Sequence, residues 1–184
     1  DTSKDLREEV TRAIDVHASS ALLRPFREQL IEGVIASYLT PLGSPFKGKS
    51  LADVDPGDRL SELDFEMSLA KLSQGVLASD IGKVLKSSLL AGDALYAYAD
   101  SLCDSSFDIP LAGLLNGSID AVLRIHTDEG SPRLFVTDYK TNRLDNDEVA
   151  SLMDAYAPKE LVSAMEHHHY PLQALLYGTA IYRM

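Results

Sequence analysis

The sequence predicts a mixed α/β domain, on three observations. Apolar residues recur at helical spacing through residues 4–40 and again through 75–102. Residues 62–70 alternate apolar with acidic side chains, and 117–141 read as two strands joined by a polar turn. The carboxy-terminal stretch, Tyr170–Met184, is apolar and helical. Together these describe one domain over 1–184, in which 1–60 is a helical lead-in and 61–184 is the core.

Along the chain, residues 4–17 place Leu6, Val10, Ala13, Ile14 and His17 on one helical face. A longer helix is expected over Ser20–Thr40, with Leu22, Leu23, Phe26, Leu30, Val34 and Tyr38 as its stripe. Pro25 falls in its first turns, where proline is best tolerated, and Pro41, Gly43 and Pro45 end it. Residues 41–60 form a polar connection. In Glu62–Ala70, Leu63, Phe65, Met67 and Leu69 alternate with Glu62, Asp64, Glu66 and Ser68, the pattern of a half-buried strand. Its acidic face is either solvated or turns Glu62 toward a site on the neighbouring hairpin. Residues 75–102 return to helical spacing, with Val76, Leu77, Ile81, Val84, Leu85, Leu89, Leu95, Tyr98 and Leu102 as the apolar positions, and Gly92 divides the run into two helices.

The hairpin carries the chemistry. Its first strand, Ile119–Ile125, holds Asp120 among apolar neighbours, and the turn 128–132, DEGSP, concentrates turn-forming residues. A second strand is expected over Arg133–Thr141, so that Asp138 and Lys140, two positions apart, share a face. Two carboxylates and a lysine suit a divalent cation with a cationic helper. Hard oxygen ligands hold Mg2+ and leave room for water and phosphate. The metal lowers the pKa of water and neutralises developing charge, while a lysine beside it steadies the phosphate or helps deprotonate the water. This is the equipment of phosphodiester hydrolysis. Alone, Asp138-x-Lys140 is more often a surface ion pair on a strand than a site; the apolar run Leu134-Phe135-Val136 and the second aspartate shift the reading toward a site.

Beyond the hairpin, 141–144 reads as a loop, and Asp147–Tyr156 and Lys159–Glu166 as short helices around Pro158. In the last helix Tyr170, Gln173 and Tyr177 fall at i, i+3 and i+7, giving one face three polar-tipped side chains. They either serve a site or let the hydroxyls reach solvent. His17 stands alone, and His167-His168-His169 are adjacent residues that point in three directions on a helix; both are more often structural or superficial than ligating.

Composition sets bounds. At 184 residues and 45% hydrophobic, the chain can bury a core. No segment has the apolar length of a membrane helix, and the start, DTSKDLREE, lacks the basic and apolar regions of a signal peptide. The single cysteine, Cys103, cannot form an internal disulfide, which points to a reducing cytoplasm. There is no zinc spacing, no Walker loop and hence no ATP site, and no Ser/His/Asp nucleophile order. Seventeen basic residues against twenty-eight acidic ones give a net charge of −11, the wrong sign for a free-standing nucleic-acid binder. If DNA is the substrate, another element delivers it.

The segments GSIDAVLR, FVTDYKTN and AMEHHHYPLQALLYGTAIYR resemble the RecB-type nuclease domains of RecBCD helicase–nucleases (exodeoxyribonuclease V). That pattern is a glycine-x-x-aspartate strand, a D-Y-K strand and a helix with Y-x-x-Q-x-x-x-Y, here Gly117 with Asp120, Asp138-Tyr139-Lys140, and Tyr170 with Gln173 and Tyr177. LLRPFREQLIEGVIASYLTPLG and DRLSELDFEMSLA resemble actinobacterial members over the same region. The resemblance implies a restriction-endonuclease-like core of the PD-(D/E)xK superfamily, with a mixed central sheet flanked by helices. It implies Mg2+-dependent cleavage, with Mn2+ as a substitute, of DNA fed by an ATP-driven RecB helicase region working with RecC- and RecD-type subunits. Asp120 and Asp138 would ligate metal with the Tyr139 carbonyl, Lys140 would assist at the phosphate, and Glu62 matches an acidic position. Gln173 and Tyr177, with Tyr170, would brace the site or contact the DNA backbone.

In the family a metal-binding histidine in a G-x-x-x-H context lies upstream of the matching residues, and His17 lacks that context. A further strand follows the final helix. A segment cut short at both ends, with an incomplete metal shell and weak Mg2+ affinity, is the corresponding expectation. Two other readings stay open: a stand-alone or AddB-like exonuclease of the same superfamily, and a catalytically silent docking or regulatory module. Helicase motifs upstream would separate the first from a RecB-type subunit, and the intact Asp120, Asp138 and Lys140 weigh against the second.

Overall fold

The computed structural model describes residues 2–69, 75–90, 92–104, 106, 108, 110–126, 130–144, 151 and 153–184. It is mixed α/β, with six α-helices and two small sheets among those residues. In chain order these are α1 (Thr2–His17), α2 (Arg27–Leu39), β1 (Arg59–Ser68), β2 (Val76–Leu77), α3 (Ala78–Ser88), α4 (Tyr96–Leu102), β3 (Pro110–Leu111), β4 (Leu114–Ile125), β5 (Arg133–Thr137), α5 (Pro158–His167) and α6 (Tyr170–Arg183). The larger sheet has the order β1-β4-β5. The chain between β4 and β5 is too short for a crossover, so that pair is antiparallel. No helix among the described residues is long and apolar enough to cross a membrane. The chain divides into two compact units, Asp1–Arg59 with Leu123–Leu134, and Leu60–Val122 with Phe135–Met184.

In the first unit α1 packs on α2 through buried Val10 and Ile31. Asp15 accepts two parallel hydrogen bonds from the Arg27 guanidinium at 2.7 and 2.8 Å. The helix expected over 20–40 begins only at Arg27. Before it, Ser20 draws off the chain's amides: its Oγ accepts from Leu22 N–H, and its carbonyl from Leu23 and Arg24. Pro25, which has no N–H, then sits in a single 3-10 turn, Arg24–Phe26. The expected stripe is displaced accordingly. Leu22, Leu23, Phe26 and Val34 are exposed, and Ile31 takes the buried position. His17 is exposed at the end of α1. The polar connection is ordered by side chains: Asp53 Oδ2 accepts from both Ser50 N–H and Ser50 Oγ–H at 2.8 Å, and Arg59 donates to the Leu51 carbonyl at 2.7 Å.

The second unit is built around β4. Its core joins Phe65 and Met67 of β1, Ile119 and Val122 of β4 and Ala180 of α6, with Leu63, Leu115, Leu176, Tyr177 and Ile181 packed on it. Burying a side chain such as Ile119, which is 0% exposed, contributes about 1.5–3 kcal/mol. The alternation in β1 is as expected: Phe65 and Met67 are buried while Asp64 and Glu66 are exposed. The expected end of this strand, Ala70, lies outside the described residues.

Three expectations are revised here. Val76 and Leu77 are not helical but pair antiparallel with Leu111 and Pro110. The helix start is set one residue later, where Asp80 accepts from Leu77 N–H. Gly92 does divide the helical run, with φ of 92° between α3 and α4. The second hairpin strand stops at Thr137, so Asp138 and Lys140 do not share a face through strand geometry. Of the expected turn, Gly130 to Pro132 are described and residues 128 and 129 are not. Finally, the helix expected at Asp147–Tyr156 lies partly outside the described residues; its described end is a 3-10 turn, Asp154–Tyr156. Helix α5 starts on Pro158, at the position where its missing N–H is harmless.

Candidate functional site

All of the candidate side chains except Glu62 are brought together in the second unit, by a chain of hydrogen bonds running from β4 to α6. Asp120 projects from β4, and its Oδ2 accepts the Tyr139 backbone N–H at 2.7 Å. This bond replaces the ladder that β5 abandons after Thr137, whose Oγ1 still donates to the Ala121 carbonyl at 3.2 Å. The released backbone lets Asp138 and Lys140 turn toward each other, and they form an ion pair. Lys140 Nζ also donates to Gln173 Oε1 at 2.9 Å, and Gln173 Nε2 donates to Tyr177 Oη at 2.7 Å. The same ammonium lies 4.2 Å from the centre of the Tyr170 ring. Tyr170 Oη in turn donates to Asn142 Oδ1 at 2.9 Å.

The polar face of α6 therefore does not serve to carry hydroxyls to solvent. Its three residues hold Lys140 from one side while Asp138 holds it from the other. Burial alone would lower the Lys140 pKa; the hydrogen bond from Lys140 to Asp138, the charge of Asp138, and the nearby Tyr170 and Tyr177 outweigh it and leave the pKa raised. Lys140 is thus a firmly held cation near neutral pH. Tyr139 is 55% exposed and contributes through its backbone. Glu62 is exposed on β1 with φ of 51°, a left-handed backbone rare for a non-glycine residue, and takes no part in this chain of bonds.

Three contributors were not anticipated from the sequence. Phe65 meets Tyr177 edge to face, with ring centres 5.9 Å apart, and so backs the Gln173 bond from the core. Asn142 anchors Tyr170; its place two residues beyond Lys140 was the available signal. The third is the joint between α5 and α6. The histidines do not continue one helix: His169 adopts φ of 55° and breaks the helical run. Its Nδ1 is hydrogen-bonded to Tyr98 Oη at 3.2 Å, and burial pushes that phenol's pKa up, against a hydrogen bond from Leu172 backbone that lowers it. Tyr98→Phe should lower stability by about 1 kcal/mol, read as a shift in the denaturant midpoint without a change in slope.

Beside Lys140 lies a cavity of about 440 Å³, which Asp138, Gln173 and Tyr177 also line. Among the described residues no group of three or more His, Cys, Asp or Glu side chains is placed to hold a metal ion. Asp120 and Asp138 are instead a sparse, hard-oxygen pair. By donor chemistry that suits Mg2+, which keeps several waters and is commonly bound through one or two carboxylates plus substrate phosphate.

No family model matches the chain. Among curated proteins, it is 36% identical over 186 residues, 98% of its length, to "RecBCD enzyme subunit RecB" of Mycolicibacterium smegmatis. It is 41% identical over 161 residues to the Mycobacterium tuberculosis protein of that name and 29% identical over 156 residues to that of Escherichia coli. The chain spans only 11–17% of the length of these relatives. Over nearly all of its own length, this chain is therefore a homologue of the RecB subunits of RecBCD enzymes.

Proposed function

We propose that this chain is the nuclease part of a RecB-type helicase–nuclease subunit, a Mg2+-dependent deoxyribonuclease on a restriction-endonuclease-like core. The observation that carries the reading is the position of Lys140, a cation fixed between Asp138 and Gln173 one residue beyond the Asp120–Tyr139 bond. Asp120 and Asp138, with the Tyr139 carbonyl, are the residues that would hold Mg2+, or Mn2+ in its place. When bound, the ion supplies Lewis-acid activation of water and screening of phosphate charge.

Lys140, held between Asp138 and Gln173, places positive charge where the phosphate gains negative charge. Gln173 and Tyr177 keep the ammonium in register, so that its position is set before substrate arrives. Glu62 is a weaker candidate, since it is exposed and outside the bonded chain. The names of the relatives favour a RecB-type subunit over a stand-alone exonuclease. DNA, a helicase region and RecC- and RecD-type subunits are then the partners, and they supply the basic surface that a chain of net charge −11 lacks.

Calorimetric titration of Mg2+ and Mn2+ into the full-length protein tests the metal assignment. Asp120→Ala should weaken binding at least about tenfold, the scale on which metal sites respond to lost ligands and their supports. Unchanged affinity would remove Asp120 from the ligand set.

A further inference from the structure

We propose that the cavity beside Lys140 is a subsite for one unpaired nucleobase of the strand being cut, an inference that rests on the nuclease reading above. Its volume, about 440 Å³, is within the range of small-ligand pockets. Two helix faces wall it: Leu161, Ala164 and Met165 at i, i+3 and i+4 of α5, and Gln173, Ala174 and Tyr177 at i, i+1 and i+4 of α6. The α5 wall carries no charge. Apart from Lys140, no lysine or arginine lines the cavity among the described residues, so these offer no second fixed cation to another phosphate.

The occupant must nevertheless be continuous with whatever phosphate Lys140 holds, because Asp138, Lys140, Gln173 and Tyr177 belong to both the cavity and the bonded chain. The uncharged part of a nucleotide is its sugar and base. A base brings flat apolar faces and a hydrogen-bonding edge. The cavity offers the apolar side chains of Leu161, Ala164 and Met165 to the faces of a base, and to its edge the amide of Asn142, whose oxygen already accepts from Tyr170; the Tyr170 ring itself lies against Lys140 and His168. A base within a duplex is paired and stacked on both faces, so an unpaired one enters at the lowest cost. The subsite would make cleavage depend on the base next to the cut phosphate. An apolar segment of another protein is the competing occupant, and it has no reason to share the phosphate-handling side chains.

The test is single-turnover cleavage, by the full-length protein in its complex with Mg2+, of single strands carrying one tetrahydrofuran abasic nucleotide at successive positions. Cleavage should fall about tenfold at one fixed offset from the lesion, the scale of a lost base-stacking contact. Ala174→Phe, which fills the cavity from an exposed position on α6, should cut intact and abasic strands at the same low rate. Met165→Ala should reduce the discrimination with less risk to folding. Equal cleavage of abasic and intact strands at every offset overturns the proposal. So does an Ala174→Phe protein that loses a partner subunit yet keeps wild-type discrimination. Cleavage that survives Asp138→Ala is a separate result, and it overturns the nuclease reading itself.

Discussion

Replacing Asp138 or Lys140 by alanine is expected to lower DNA cleavage by the full-length protein about a hundred- to a thousandfold or more, the scale on which active sites lose a single electrostatic stabiliser. ATP-driven unwinding should be unchanged, because the chain has no phosphate-cradling loop. The two variants should fail for different reasons. Asp138→Ala removes the proposed metal donor and also leaves Lys140 with one fewer restraint. Lys140→Ala leaves both carboxylates in place and removes the cation, so metal affinity should be kept or raised while the rate falls. Paired rate and metal-titration measurements on the two variants distinguish them. Loss of unwinding in either would contradict the assignment.

Gly117→Val should destabilise the chain by about 1–3 kcal/mol, the cost of overpacking a filled core. A Cβ on residue 117 would stand 2.8 Å from Phe65 Cζ and 3.0 Å from Cε1, closer than carbon atoms tolerate. Phe65 is 7% exposed in the core of the second unit, so its ring has little room to retreat. It also meets Tyr177, which accepts the hydrogen bond of Gln173, which accepts that of Lys140. The substitution should therefore lower the cleavage rate more than the stability loss explains, at temperatures where the protein is still folded. Denaturation followed by circular dichroism gives the first effect and single-turnover cleavage the second. A destabilised protein with wild-type turnover would uncouple Phe65 from the site. In the sequence Gly117 is the first member of a glycine-x-x-aspartate motif. In the structure, its lack of a side chain makes space for the ring that backs the site from within.

Periodicity alone determined the mixed α/β class, the alternating strand around Phe65, the division of the helical run at Gly92 and the existence of α6, since each depends on local spacing or on one residue's backbone preference. It also picked out Asp120, Asp138, Lys140, Tyr170, Gln173 and Tyr177, because polar residues in apolar surroundings stand out before any fold is known. What it could not determine was how they meet. Asp138 and Lys140 were expected to share one face of a strand, two positions apart, but the strand ends at Thr137. They meet because Asp120 takes the Tyr139 amide and α6 supplies Gln173. Those partners lie 19 and 33 residues away, beyond the reach of any local pattern. The same holds for the late start of α2, where Ser20 competes for the amides before Pro25, and for the bend at His169, paired with Tyr98 from 71 residues earlier. The residue types are a property of the sequence, and their convergence on one ammonium is a property of the packed core.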